Sequence, residues 1–299
     1  SWFSWSVDVG DLATEVLVFG GALWLAAAMF VHAGSPPTTE PSIAPRRLGA
    51  IEACVVLGGL IAVYAVFAVA RLVVATRGAD YVMATTGLTY AEYARSGFFQ
   101  LLWAAALTLV VLLGLRATVP QVPGPWRTAF RVLSVVAVAL TLVLVQAALL
   151  RLDLYTEAFG LTMLRLSSTI FAYWVGATFV LTGLSLAGIG SRRNWLAGAV
   201  ISSAVLTLVL VNMANPEARV VRHNVAHQTL SGEADVAYLV ELSDDAVPAL
   251  VDSLASLSPA DRSFVTWTLC GTARRRDMSW NLASVRAAAA LVDLCDQRT

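Results

Sequence analysis

Lysine is missing altogether from this 299-residue chain: its 20 basic residues are all arginine, and charged residues make up only 13% of the sequence. A soluble domain carries roughly a quarter charged residues, so this chain is not built to sit in water along most of its length. A basic stripe is missing too, which removes nucleic acid from the partners to be expected. Cysteine is down to three residues and histidine to three. There is no CxxC pair, no GxGxxG turn, no Walker loop and no G-x-S-x-G elbow, which argues against redox, nucleotide-driven and hydrolase chemistry. Short alternating strands of barrel type are likewise absent.

What is present is hydrocarbon. Hydrophobic residues reach 58% and mean hydropathy is +0.72. About 20 uncharged residues cross roughly 30 Å of bilayer as a helix, and six runs satisfy that rule, at about 12–33, 50–76, 98–118, 129–152, 162–187 and 194–214. The expected fold is therefore all-α: a six-span transmembrane bundle over residues 1–214, followed by a helical extramembrane domain over 215–299.

The zero net charge conceals a division. Residues 1–214 carry 12 Arg against 9 acids, and residues 215–299 carry 8 Arg against 11. The chain begins SWFSWSVDVGDLATE, without Met or a basic leader, and reads as the later part of a longer membrane protein. Connections alternate between two faces. GSPPTTEPSIAPRR, RATVPQVPGPWR and GIGSRR, rich in Pro, Gly and Ser, lie on one; the segments around Gly87 and Tyr155, and both ends, lie on the other. Arginine is denser on the first face, which places that face in the cytoplasm and the tail outside a bacterial cytoplasmic membrane.

The tail reads as short helices. ANPEARVVRHNVAHQTLSG continues from the sixth span to Gly232. Val247, Leu250, Val251, Leu254 and Leu257 recur at three and four, as in a packed amphipathic helix. Ser258 caps a helix entered through Pro259 and Asp261, and Ser279 caps a last one. In an outside tail, Cys270 and Cys295 can pair as a disulfide.

Two polar segments on the second face hold most of the candidate chemistry. In GLTYAEYARSGFF, Thr89 and Glu92 form a capping box that starts a helix at Tyr90. Gly97 offers a bend, making Tyr90, Glu92, Tyr93 and Arg95 an interfacial elbow. In LLRLDLYTEAFGLTMLRL, Arg151 shares a helix face with Tyr155, and Asp153 shares one with Glu157. Gly160 ends that helix and Thr162 caps the next, which contains Arg165. One boundary patch follows: Tyr90, Glu92, Tyr93, Arg95, Arg151, Asp153, Tyr155, Glu157 and Arg165. It either binds a headgroup, polar substrate or protein, or neutralises itself so that helix ends can pack.

His32, Glu52, Arg71 and Gln146 are the polar intruders within spans, too scattered for a relay. His223 and His227, four apart without the H-E-x-x-H glutamate, read as a surface pair, so neither a metal nor another cofactor is expected.

The blocks TGLTYAEYARSGFFQLL, RLDLYTEAFGLTMLRL, NPEARVVRHNV, DVAYLVELSDDAVPALV and SWNLASVRAAAA, in that order from about Tyr64 onward, resemble polytopic membrane proteins of high-GC bacteria. These are known only as domains of unknown function, the DUF4153 and DUF4173 group. The resemblance implies further spans before the start of this chain and no particular reaction. The reading is a multi-pass, non-enzymatic interaction, accessory or sensory subunit, in contact with membrane lipids and with protein partners through its C-terminal domain. A small-solute or lipid transporter is one alternative. A glycosyl or lipid transferase using the boundary carboxylates is the other.

Overall fold

The computed structural model describes residues 49–77, 90–119, 124–190, 195–231, 235–273 and 281–296. The expected first span, at 12–33 with His32, lies outside the described residues. Five described helices are long and apolar enough to span a bilayer: α1 (Ala50–Arg77), α2 (Tyr90–Thr118), α3 (Pro125–Phe159), α4 (Met163–Ala187) and α5 (Trp195–Met213). Six shorter elements follow: α6 (Pro216–Ser231), α7 (Val236–Glu241), α8 (Val247–Ser253), a 3₁₀ turn (Leu254–Ser256), α9 (Pro259–Ala273) and α10 (Leu282–Asp296). No strand occurs among the described residues.

The hub is α3, which packs against α1, α2 and α4. Small residues let α3 and α4 approach. A Cβ added at Gly183 would stand 3.1 Å from Val138, and one at Gly176 would stand 3.8 Å from Val145. Moving seven residues back along α4 thus moves seven residues forward along α3, so the pair is antiparallel and in register. The same register sets Ile170 opposite Arg151, and Arg165 one turn beyond it, beside Tyr155.

Between Arg131 and Arg151, α3 carries no charge. The two guanidinium groups are twenty positions apart, about 30 Å along a helix, which is the thickness of the hydrocarbon core. Arg131 lies against Gly188, the left-handed C-cap of α4 at φ 90. Arg151 marks the opposite boundary. Residues 151–170 form the tip of the α3–α4 hairpin at that boundary. Glu52 also has a local role, its carboxylate accepting the Gly49 N–H at 2.6 Å and closing the start of α1. The side chain of Arg71 lies outside the described residues.

In two places the sequence reading is corrected. Gly97 lies within an uninterrupted α2, whose apolar span runs Gln100–Thr118, so the expected bend does not break the helix. The sixth span and α6 are separate helices. Asn215, at φ 46, breaks the chain, and its Oδ1 accepts the Ala218 N–H at 3.0 Å, with Pro216 at the first helical position.

Two hydrophobic cores result. One lies among α1–α4, from Ala53 and Leu57 to Ala172 and Phe179. The other unites α6–α10 with the hairpin tip, Leu161 and Leu166 packing beside Val220, Val221, Leu239 and Leu250.

Candidate functional site

The site is the joint between the hairpin tip and the helices that follow α5. Gly160 ends α3 at φ 76, ψ 172, a conformation in effect reserved for glycine. Thr162 begins α4, its hydroxyl accepting the Arg165 N–H at 3.3 Å. This sharp turn leaves Leu161 with its backbone turned toward α6, where Asn224 grips both polar groups. The Leu161 N–H donates to Asn224 Oδ1 at 2.8 Å, and Asn224 Nδ2 donates to the Leu161 carbonyl at 2.6 Å. The same amide also donates to Val220 O at 3.0 Å, so its own helix holds it in place. From α7, Tyr238 accepts the Met163 N–H at 2.8 Å. Backbone groups that a turn leaves bare are thus satisfied by side chains from outside the spans, around a fully buried Val220 and Val221.

Arg165 acts on the backbone of the turn itself. Its guanidinium donates to the carbonyls of Phe159, at 2.9 Å, and Gly160, the negative end of α3. It lies over the Tyr155 ring, 4.2 Å from the centroid. Tyr155 in turn meets the Phe159 ring at a tilt of 49°, with centroids 5.0 Å apart. Arg165 is a cap for the helix end, and Asp153 and Glu157 remain exposed on the outside of the tip. Arg151 is half-buried at the boundary.

Tyr90, Glu92, Tyr93 and Arg95 belong to the first turns of α2, on the same side of the bilayer by connectivity. Their side chains lie outside the described residues. Thus the patch has a structural description only for its α3–α4 half, which belongs to a joint in which Asn224 and Tyr238 are the main polar ties. No sequence signal marked those two, since each acts on a turn more than 60 positions away.

His223 and His227 are half-buried, with rings parallel to within 7° at 6.2 Å. Nε2 of His223 is buried and has no hydrogen-bond partner among the described residues. Burial pushes the His223 pKa below its ordinary 6.5, His227 and Arg219 push it further, and Asp153 from α3 pulls the other way. No group of three His, Cys, Asp or Glu suited to a metal occurs among the described residues.

Farther out, Cys270 of α9 and Cys295 of α10 form a disulfide with Cα atoms 5.8 Å apart. Ser258 caps α9 by accepting the Asp261 N–H at 3.2 Å. At α10 the cap is Asn281, whose Oδ1 accepts the Ser284 N–H at 2.7 Å; the expected cap, Ser279, lies outside the described residues. The expected helix over Val247–Leu257 is α8 followed by the 3₁₀ turn.

The profile described as "Domain of unknown function (DUF4153)" matches residues 2–253. The match starts well before Tyr64 and ends at the last residue of α8, so the SWNLASVRAAAA block falls beyond it. No curated protein and no solved structure matches the chain.

Proposed function

The chain belongs to the DUF4153 family of domains of unknown function, and from that premise we propose that this membrane protein is a non-enzymatic interaction or sensory subunit. Its extramembrane helices receive a partner and pass the event to the spans. One observation carries this reading: the outer helices and the hairpin tip share a single hydrophobic core, tied by Asn224 to Leu161 and by Tyr238 to Met163. A domain on a flexible tether has no such purchase. Here, displacement of α6 or α7 pulls on the turn that joins α3 to α4, and α3 packs against α1, α2 and α4.

The Cys270–Cys295 disulfide supports a location for that domain outside a bacterial cytoplasmic membrane, because such bonds persist in oxidising compartments. The test is co-purification from native membranes. Partners retained by the full chain and lost from a chain ending at Ala214, itself still monodisperse, support the reading. An identical set of partners with and without residues 215–299 overturns it.

A further inference from the structure

Among the described residues, one side of the hub helix is left uncovered. Because α2 reaches α4 by packing and α1 through the Tyr64 hydroxyl bond to Ala104 O at 3.1 Å, the three neighbours surround α3 in the order α1, α2, α4. The open side lies between α4 and α1. Along it run the exposed residues Val136, Ala139, Val143, Gln146 and Leu150, in alternating steps of three and four. Between Ala139 and Leu150 only Val143 and Gln146 are exposed, so the opening is narrow. This seam is one helix face wide, a width that one further helix can cover.

Gln146 distinguishes that seam from an ordinary greasy face. It stands five residues inside Arg151, about 7 Å below the boundary, and its side chain leans toward the helix N-terminus, deeper into the membrane. The amide therefore cannot reach back to the near water layer, and it has no hydrogen-bond partner among the described residues. An amide left in hydrocarbon is costly, and hydrogen bonding to a neighbouring helix is the usual remedy.

Just outside the bilayer the same spacing continues to Asp153 and Glu157, both exposed. A second copy of this chain would have the same orientation in the membrane and would set these carboxylates against their own counterparts. The geometry points to a different occupant: the seam of α3 receives a transmembrane helix of another protein. That helix carries a hydrogen-bonding side chain level with Gln146 and Lys or Arg beyond its end, opposite Asp153 and Glu157. This inference rests on the interaction-subunit reading and names a partner surface within the bilayer that the reading does not require.

The test places a photoreactive residue at Val143 or Leu150 of the full chain in native membranes, with Leu208 on α5 as a lipid-facing control. The expected adduct, absent at Leu208, joins a peptide from an apolar span flanked by Lys or Arg on the Asp153 side. Its yield falls about three- to ten-fold with Gln146→Leu, and falls with the pair Asp153→Asn and Glu157→Gln. Gln146→Asn retains most of it. Adducts with lipid alone, within one chain or with a second copy overturn the inference, as does a yield indifferent to Gln146→Leu. If partners that depend on residues 215–299 still co-purify in that case, the seam falls alone and the subunit reading stands.

Discussion

Replacing Gly160 with alanine should loosen the joint, by an amount set by two separable causes. At φ 76, ψ 172 an L-residue is strained, at a cost of about 1–3 kcal/mol. The new Cβ would also stand only 2.5 Å from Asn224 Oδ1, which must move and give up its bond from Leu161 N–H, adding about 1 kcal/mol. Together these come to about 2–4 kcal/mol, or an increase of about 30- to 1,000-fold in the exchange of amides protected by the joint. The assay is hydrogen exchange of α6, around Val220, Val221 and Val225, in the full chain held in a bilayer disc. Asn224→Ala removes the obstructing oxygen, so in that background Gly160→Ala should cost only the backbone share. The two substitutions then fall short of additivity by about 1 kcal/mol. Unchanged exchange in Gly160→Ala, or costs that simply add, would refute the reasoning.

Three further outcomes are expected. Arg165→Leu strips the carbonyls of Phe159 and Gly160 of their donor and removes the cation over Tyr155, costing about 1–3 kcal/mol; Arg165→Lys keeps the charge without the forked geometry and should recover only part, as read from thermal unfolding. Cys270→Ser opens a loop of 25 positions and should destabilise the outer helices by about 3.5 kcal/mol, seen as tryptic cleavage at Arg286 of α10 at lower denaturant than in the parent. His223 binds its proton less readily when folded than when unfolded, so stability is full above about pH 6.5. It declines as the pH falls through that value, because the unfolded chain protonates first, and levels off below the folded pKa. Thermal unfolding of His223→Gln should lose that portion of the pH dependence, whereas Asp153→Asn should steepen it.

The spans were legible because continuous apolar runs leave few alternatives to a helix in lipid. Their ends were less so. The apolar run of α3 stops near residue 152, whereas its helix continues through the polar RLDLYTEAF segment to Phe159; only Gly160, read as the terminator, marked that end. The break at Asn215 was written in its Asn-Pro pair, which the apolar periodicity on either side masked. Gly97 misled in the other direction: a single glycine costs a helix about 1 kcal/mol, too little to interrupt one embedded in an apolar bundle. The clamp at Leu161 was beyond reach, since Asn224 is an ordinary polar residue until folding carries it 63 positions back along the chain. Gln146 was visible as an intruder, but that it faces outward depends on the order of three neighbouring helices.

Arg131 and Arg151 also constrain how α3 can move. With a guanidinium at each end of a stretch matched to the hydrocarbon thickness, sliding the helix along its axis in either direction draws one charge into oil. One residue of travel is about 1.5 Å, and each further step deepens the penalty. Rotation about the axis leaves both charges at their depths. So α3 is built as a spindle and not as a piston: a pull at Leu161 can turn it, and turning swings Gln146 into or out of reach of a neighbour.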